Sequence, residues 1–140
     1  MMVLVTTATG FFFGGRGLLS YATLFLTLLG TAACCAGAAI LNNFLECDLD
    51  AQMKRTAKRP IPSGQVPPNE ALLTGIILVL LGTALLAWKI NVITAFLAIL
   101  SAFLYVVVYT PLKRVTWLNT LVGAIPGALP PVGGWTAATG

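Results

Sequence analysis

The feature that most constrains this chain is the length of its uncharged segments. No Asp, Glu, Lys or Arg occurs in five runs, 1–15, 17–45, 71–88, 90–112 and 115–140. A helix that crosses a bilayer needs about 20 mainly apolar residues, with roughly 17–25 tolerated, and all but the first run reach that length. Only 9% of the residues are charged, against about 25% in a soluble domain. The sequence therefore predicts an all-α, polytopic transmembrane protein.

The uncharged runs predict membrane spans at about 1–15, 21–45, 71–88, 92–110 and 118–138, with a polar loop at 46–70. Ser20 is the predicted N-cap of the second span. The prolines of the fifth span are predicted to bend or break it; they are Pro126, Pro130 and Pro131. Small residues are predicted to lie at helix contacts, namely Gly30, Ala33, Gly37, Gly75 and Gly82. Because both ends are abruptly apolar, we expect 1–140 to be a partial domain, an internal piece of a longer protein.

The basic residues predict the orientation. Arg16 and Lys89 fall in connections on one side of the predicted bundle, and the other six fall on the opposite side. These six are Lys54, Arg55, Lys58, Arg59, Lys113 and Arg114. Short cytoplasmic loops carry the excess of Lys and Arg, so the 46–70 loop is predicted to be cytoplasmic. Basic residues explained in this way require no nucleic-acid partner.

A polar stretch at the end of the second span carries the candidate chemistry. If the helix continues, Asn42, Glu46 and Asp50 follow one another at i, i+4 and share a face, whereas Asp48 projects from nearly the opposite face. Carboxylate and amide oxygens are the ligands that Mg²⁺ prefers. The alternative is that these acids only solvate a helix end and pair with nearby Lys and Arg.

Four cations follow the acids, Lys54, Arg55, Lys58 and Arg59. They are a topology signal in any case, but arginine also matches phosphate geometry and lysine supplies a point charge. Acids that hold a metal beside cations that hold phosphate would form a diphosphate site. Tyr109 and Lys113 lie on the same predicted side and could contact the same anion. The residues alone favour the simpler interpretation, an interfacial tyrosine with basic anchors.

Three spaced motifs resemble those of the UbiA family of membrane prenyltransferases. Asn42-Asn43-x-x-Glu46-x-x-x-Asp50 is similar to its first aspartate-rich motif, N-D-x-x-D-x-x-x-D. The stretch from Asp50 to Gly64 resembles its D-A-x-M-x-R-T-x-x-R-P-x-x-x-G segment, and Tyr109-x-x-x-Lys113 resembles its Y-x-x-x-K element. The segment Tyr109–Arg114 and the Asn119–Pro131 pattern N-T-x-x-G-x-x-P-G-A-x-P-P are most similar to the branch that farnesylates protohaem.

The resemblance implies about the first half of a nine-helix fold, without the family's second aspartate-rich motif. It implies transfer of the farnesyl group of farnesyl diphosphate to a vinyl group of protohaem IX, giving haem O, with Mg²⁺ as cofactor. We expect the fragment alone to be inactive. By analogy the metal ligands are Asn42, Asn43, Glu46 and Asp50. The diphosphate contacts are Arg55, Arg59, Lys113 and Arg114, and the catalytic residues are Tyr109 and Lys113.

Two departures from the family pattern stand in the first motif, where Asn43 and Glu46 replace aspartates. The resemblance also implies a multi-pass protein of the bacterial inner membrane, or of the mitochondrial inner membrane in a eukaryote, with haem A synthase as a partner protein. Two alternatives stay open. One is a related prenyltransferase acting on a quinone precursor or other aromatic acceptor, and the other is a transporter fragment, since broken helices often mark transport sites.

Overall fold

The computed structural model describes residues 2–15, 20–113 and 119–140. Within these ranges the chain is helical and contains no strand. The elements in chain order are α1 (Met2–Gly14), α2 (Tyr21–Leu45), α3 (Cys47–Gln52), α4 (Pro68–Lys89), α5 (Val92–Phe103), a π-helical segment (Leu104–Tyr109), α6 (Thr110–Leu112) and α7 (Asn119–Thr139).

Three helical stretches of the described chain are long and apolar enough to cross a membrane, Tyr21–Leu45, Pro68–Lys89 and Val92–Leu112. The third combines α5, the π-helical segment and α6. Large apolar side chains such as Phe13 and Trp88 are about four-fifths exposed, which a water-facing surface does not favour. The predicted all-α, polytopic integral membrane fold is confirmed.

Helix starts follow local capping rules. The predicted cap at Ser20 is confirmed, since its hydroxyl accepts a hydrogen bond from the Thr23 N–H at 3.3 Å. Asn91 caps α5 in the same way, accepting from the Thr94 N–H at 2.7 Å. The helix α4 begins at Pro68, three residues before the predicted span, because proline is well suited to a first turn that needs no N–H.

Glycines form the contact between α2 and α4. A Cβ on Gly37 would lie 2.6 Å from the Gly75 carbonyl oxygen, and one on Gly82 would lie 2.7 Å from the Gly30 carbonyl oxygen. The four predicted glycine contact positions are therefore confirmed, whereas Ala33 is only half-buried. Close backbone approach through small residues is how membrane helices gain packing contacts without a hydrophobic driving force.

A second close contact joins α1 to α7. A Cβ on Gly10 would collide with the Pro131 carbonyl, and one on Gly134 would collide with the Thr7 carbonyl. Phe11 and Thr7 are almost completely buried at this contact. The two helices therefore pack backbone against backbone, with α7 as the main partner of α1.

The prolines do not break α7, which runs as one helix from Asn119 to Thr139. Pro130 has no N–H to donate to the carbonyl four residues earlier, at Pro126. The Ser101 hydroxyl of α5 donates to that carbonyl at 3.0 Å. A neighbouring side chain thus satisfies the group that proline leaves free, which is how membrane helices tolerate proline. Of the two predicted outcomes, a bend or a break, the break is wrong, and the Ser101 hydrogen bond is one reason why the helix can continue.

Candidate functional site

The acidic stripe lies at the end of α2 and continues into α3. Asn42, Glu46 and Asp50 are all buried, at 5–8% exposure, and Asp48 is exposed. Glu46 itself leaves helical geometry, yet its N–H still bonds the Asn42 carbonyl at 3.0 Å and its carbonyl accepts from the Asp50 N–H at 2.8 Å. The i, i+4 spacing therefore survives the interruption, so the three side chains occupy the buried side of this segment while Asp48 faces outward.

The loop predicted at 46–70 is shorter in the structure, because Cys47–Gln52 form α3 and α4 begins at Pro68. An arginine from the remaining loop between α3 and α4 neutralises Asp50. The Arg59 Nη1 lies 2.6 Å from the Asp50 Oδ2 and also donates to the Asn43 Oδ1 at 3.0 Å. The Thr56 hydroxyl, which is buried, donates to the Asp50 carbonyl at 3.0 Å and holds the loop against α3. Arg59, which is predicted to contact the diphosphate, thus donates to both Asn43 and Asp50, which are predicted metal ligands.

A lysine from the end of the third span neutralises Glu46. The Lys113 Nζ lies 2.9 Å from the Glu46 Oε1 and 3.3 Å from its Oε2. The carboxylate side chain is 10% exposed and the lysine side chain 37%. Burial acts to lower the pKa of Lys113, but its hydrogen bond to Glu46 and that carboxylate's charge raise the pKa above its ordinary value. The ammonium therefore stays charged at neutral pH.

The structure contains the pairing with Lys and Arg that belongs to the alternative, but the paired carboxylates are buried, so they do more than solvate a helix end. The two carboxylates and two cations lie in one cluster formed by α2, α3, the loop and the residue after α6. Arg55 is exposed and forms no hydrogen bond or ion pair with the cluster's described members. Arg114 lies outside the described residues. Sequence spacing does not distinguish Arg55 from Arg59, because the loop between α3 and α4 has no regular period.

Thr110 is a site residue that the sequence reasoning missed. It is 1% exposed, and its hydroxyl accepts from the Asn42 Nδ2 at 2.8 Å and donates to the Tyr105 carbonyl at 2.9 Å. The π-helical segment makes this possible, since the Thr110 N–H also bonds the Tyr105 carbonyl five residues back. In the sequence, Pro111 is the signal for this change, because proline has no N–H to donate and so interrupts the regular hydrogen bonds of an α-helix.

Two tyrosines connect the charged cluster to a cavity. The Tyr105 and Tyr109 rings stack with centroids 5.6 Å apart, and the Lys113 Nζ lies 5.6 Å from the Tyr109 centroid. A Cβ on Gly123 of α7 would lie 2.8 Å from the Tyr109 ring, so this ring is packed on both sides. Tyr105 was not singled out from the sequence, although it lies one helical turn before Tyr109.

The cavity has a volume of about 630 Å³ and lies between α1, α2, α5 and α7. Its lining is mainly small and apolar, with Ala38, Ala102 and Gly127 among the contributors, and both tyrosines line it as well. Thr31 and Ser101 are polar residues within this lining. A ligand that is mainly apolar and has a charged head fits this lining and the neighbouring charged cluster.

The donor set fits a hard divalent cation in its chemistry. Glu46 and Asp50 supply carboxylates, and the amides of Asn42 and Asn43 supply neutral oxygens, which are Mg²⁺-type ligands. No group of three or more His, Cys, Asp or Glu side chains is placed to hold a metal among the residues described. A cation here would therefore complete its coordination with amide, phosphate or water oxygens, and the carboxylates would exchange their basic partners for it.

Residues 3–140 match the UbiA prenyltransferase family. A protoheme IX farnesyltransferase of Salinibacter ruber is 53% identical over 99% of this chain and 49% of its own length. A mitochondrial protoheme IX farnesyltransferase of Arabidopsis thaliana is 43% identical over all of this chain and 33% of its own. This chain therefore spans half or less of the curated relatives it matches.

Solved structures agree with the fold. The apo structure of a UbiA homologue from Aeropyrum pernix superposes with a TM-score of 0.82, at 26% identity, over 99% of this chain and 49% of that one. A digeranylgeranylglyceryl phosphate synthase superposes with a TM-score of 0.70, at 20% identity, over 91% of this chain and 48% of that one. The second likeness concerns the fold alone.

Proposed function

The chain belongs to the UbiA prenyltransferase family, and on that premise we propose that it forms about half of the active site of a protohaem farnesyltransferase. The reaction joins the farnesyl group of farnesyl diphosphate to a vinyl group of protohaem IX and gives haem O and diphosphate. One observation carries the proposal: two buried carboxylates, each paired with a cation from another segment, form a cluster in which Lys113 lies next to Tyr109, and Tyr109 lines a large apolar cavity. The relatives named protoheme IX farnesyltransferase support this choice of acceptor.

The basic side chains of the cluster would bind the diphosphate. Arg59 and Lys113 are held in place by Asp50 and Glu46, so they are oriented before any ligand arrives. On binding, each cation would turn from its carboxylate to a phosphate oxygen. Arg55 and Arg114 are proposed as further contacts, Arg55 from its exposed position on the loop.

Prenyltransferases of this family generally use a divalent metal, and we propose Mg²⁺ for this protein. Glu46, Asp50 and Asn42 would hold it, with Asn43 as a further oxygen ligand. When bound, the ion supplies positive charge that stabilises the departing diphosphate. When Lys113 and Arg59 turn to the diphosphate, the ion would balance the negative charge of Glu46 and Asp50 in their place.

The chemistry then depends on charge separation at the mouth of the cavity. The C1–O bond of farnesyl diphosphate breaks and its electron pair leaves with the diphosphate oxygen, which Arg59 and Lys113 stabilise. The allylic carbon bonds the terminal vinyl carbon of protohaem, and water adds to the remaining cationic carbon with loss of a proton. Tyr109 would orient the diphosphate by a hydrogen bond, and the cavity would hold the isoprenoid chain away from water.

We further propose that the 46–70 loop and Lys113 face the cytoplasm or the mitochondrial matrix, because the basic residues concentrate there. The membrane would be the bacterial or mitochondrial inner membrane, since the relatives include bacterial proteins and a mitochondrial one. Haem A synthase, which consumes haem O, is the proposed partner protein.

The test is prenyl transfer by the full-length protein in lipid, with farnesyl diphosphate, Mg²⁺ and either protohaem or a quinone precursor as acceptor. We expect haem O, detected by mass spectrometry, and no prenylated quinone precursor. Transfer to the quinone precursor alone would refute the acceptor. Residues 1–140 expressed alone should give no haem O, because they supply only part of the site.

A further inference from the structure

The amide of Asn42 has two ends with opposite chemistry, and only its oxygen can be a metal ligand. Its Nδ2 donates to the Thr110 hydroxyl at 2.8 Å. Its Oδ1 accepts no hydrogen bond from the described residues. Since no fully enclosed polar side-chain atom among them lacks a partner, the Oδ1 is not sealed inside the protein. The amide is thus turned with its oxygen available and its nitrogen occupied.

Thr110 determines which end of the amide is available. Its single hydroxyl proton goes to the Tyr105 carbonyl at 2.9 Å, so its oxygen is left to accept from the Asn42 Nδ2. The reversed amide would need that proton for the Asn42 Oδ1, and the bond to Tyr105 would be lost. An NH₂ group would then take the place of the oxygen that the proposed metal role requires.

From this geometry we propose that Thr110 is a positioning residue, which acts through Asn42 to present an oxygen to the divalent cation. The inference rests on the metal role proposed for Asn42 above. The π-helical segment is part of the device, because it brings both the N–H and the hydroxyl of Thr110 onto the Tyr105 carbonyl. Partners of this kind orient metal ligands, and their loss commonly lowers metal affinity about 10–100-fold.

The test is titration of the full-length protein with Mn²⁺ in the presence of inorganic diphosphate, followed by electron paramagnetic resonance of free and bound Mn²⁺. We expect Thr110→Val to weaken Mn²⁺ binding about tenfold, and Thr110→Ser, which keeps the hydroxyl, to bind nearly as the wild type does. Thr27→Val is the matched control, because Thr27 is also fully buried but donates only to the Thr23 carbonyl within α2.

Asn42→Ala separates the two proposals. If Thr110 acts through Asn42, the double variant should bind Mn²⁺ no more weakly than Asn42→Ala alone. Weaker binding in Asn42→Ala with unchanged binding in Thr110→Val would overturn the positioning role and leave the proposed metal site intact. Unchanged binding in Asn42→Ala would overturn both. Should Thr110→Val fail to fold, Thr110→Ala removes the same hydroxyl and is judged by the same outcomes.

Discussion

The ion pair between Glu46 and Lys113 predicts an asymmetric loss of stability. Removing one partner of a buried pair costs about 3–5 kcal/mol because a charge is left uncompensated, whereas exposed pairs contribute about 0.2–1 kcal/mol. Glu46 is nine-tenths buried, but Lys113 is more than one-third exposed. Lys113→Met strands the buried charge and should cost about 2–3 kcal/mol, a value between these limits. Glu46→Gln leaves an ammonium that can reach water and should cost about 1 kcal/mol or less.

The difference can be measured as apparent Tm of the full-length protein in detergent. About 2 kcal/mol corresponds to roughly 4–8 °C in a protein of a few hundred residues. Lys113→Met should therefore unfold about that far below Glu46→Gln, and the double variant should return close to Glu46→Gln. Lys58→Met is the control, since Lys58 is exposed and pairs with no described residue. Equal losses in the two single variants would refute the argument from burial.

Three further predictions concern the same site and its supports. Asp50→Ala and Glu46→Ala should lower the rate of prenyl transfer by about a hundredfold or more and raise the Mg²⁺ concentration that activity requires. Asp48→Ala should lower the rate much less, because Asp48 faces outward. If Asp48→Ala were the most damaging of the three, the shared face of Asn42, Glu46 and Asp50 would not be the metal site. A cysteine at Ser63, which is exposed, should react with impermeant maleimide only from the cytoplasmic or matrix face, and labelling from the opposite face would reverse the topology. Ser101→Ala should lower stability by about 1 kcal/mol, measured as apparent Tm, and no change would mean that the Pro126 carbonyl finds another donor.

Local pattern was sufficient for the approximate positions of most helices and for predicting which acidic side chains share a face. The uncharged runs, the Ser20 cap and the contact glycines depend on composition or on neighbours within a turn or two. The burial of Asn42, Glu46 and Asp50 against an exposed Asp48 follows from 3.6-residue periodicity. These features require no knowledge of how distant segments meet.

Long-range partners could not be read from the sequence. Lys113 meets Glu46 across 67 residues, and Thr110 meets Asn42 across 68, so both contacts depend on how α2 packs beside the third membrane span. The continuity of α7 likewise depends on a hydroxyl from α5, although proline propensity taken alone favours a break. The roles of Arg55, Arg59 and Arg114 remain predictions, since a loop without a period does not fix where its side chains point.

The contact between α1 and α7 has a consequence for biosynthesis. Gly10 packs against Pro131, which the ribosome adds about 120 residues later. At a synthesis rate of about 5–20 residues per second, α1 spends roughly 6–25 seconds without its main partner. During that interval α1 depends on lipid, or on the insertion machinery, until α7 reaches the bilayer.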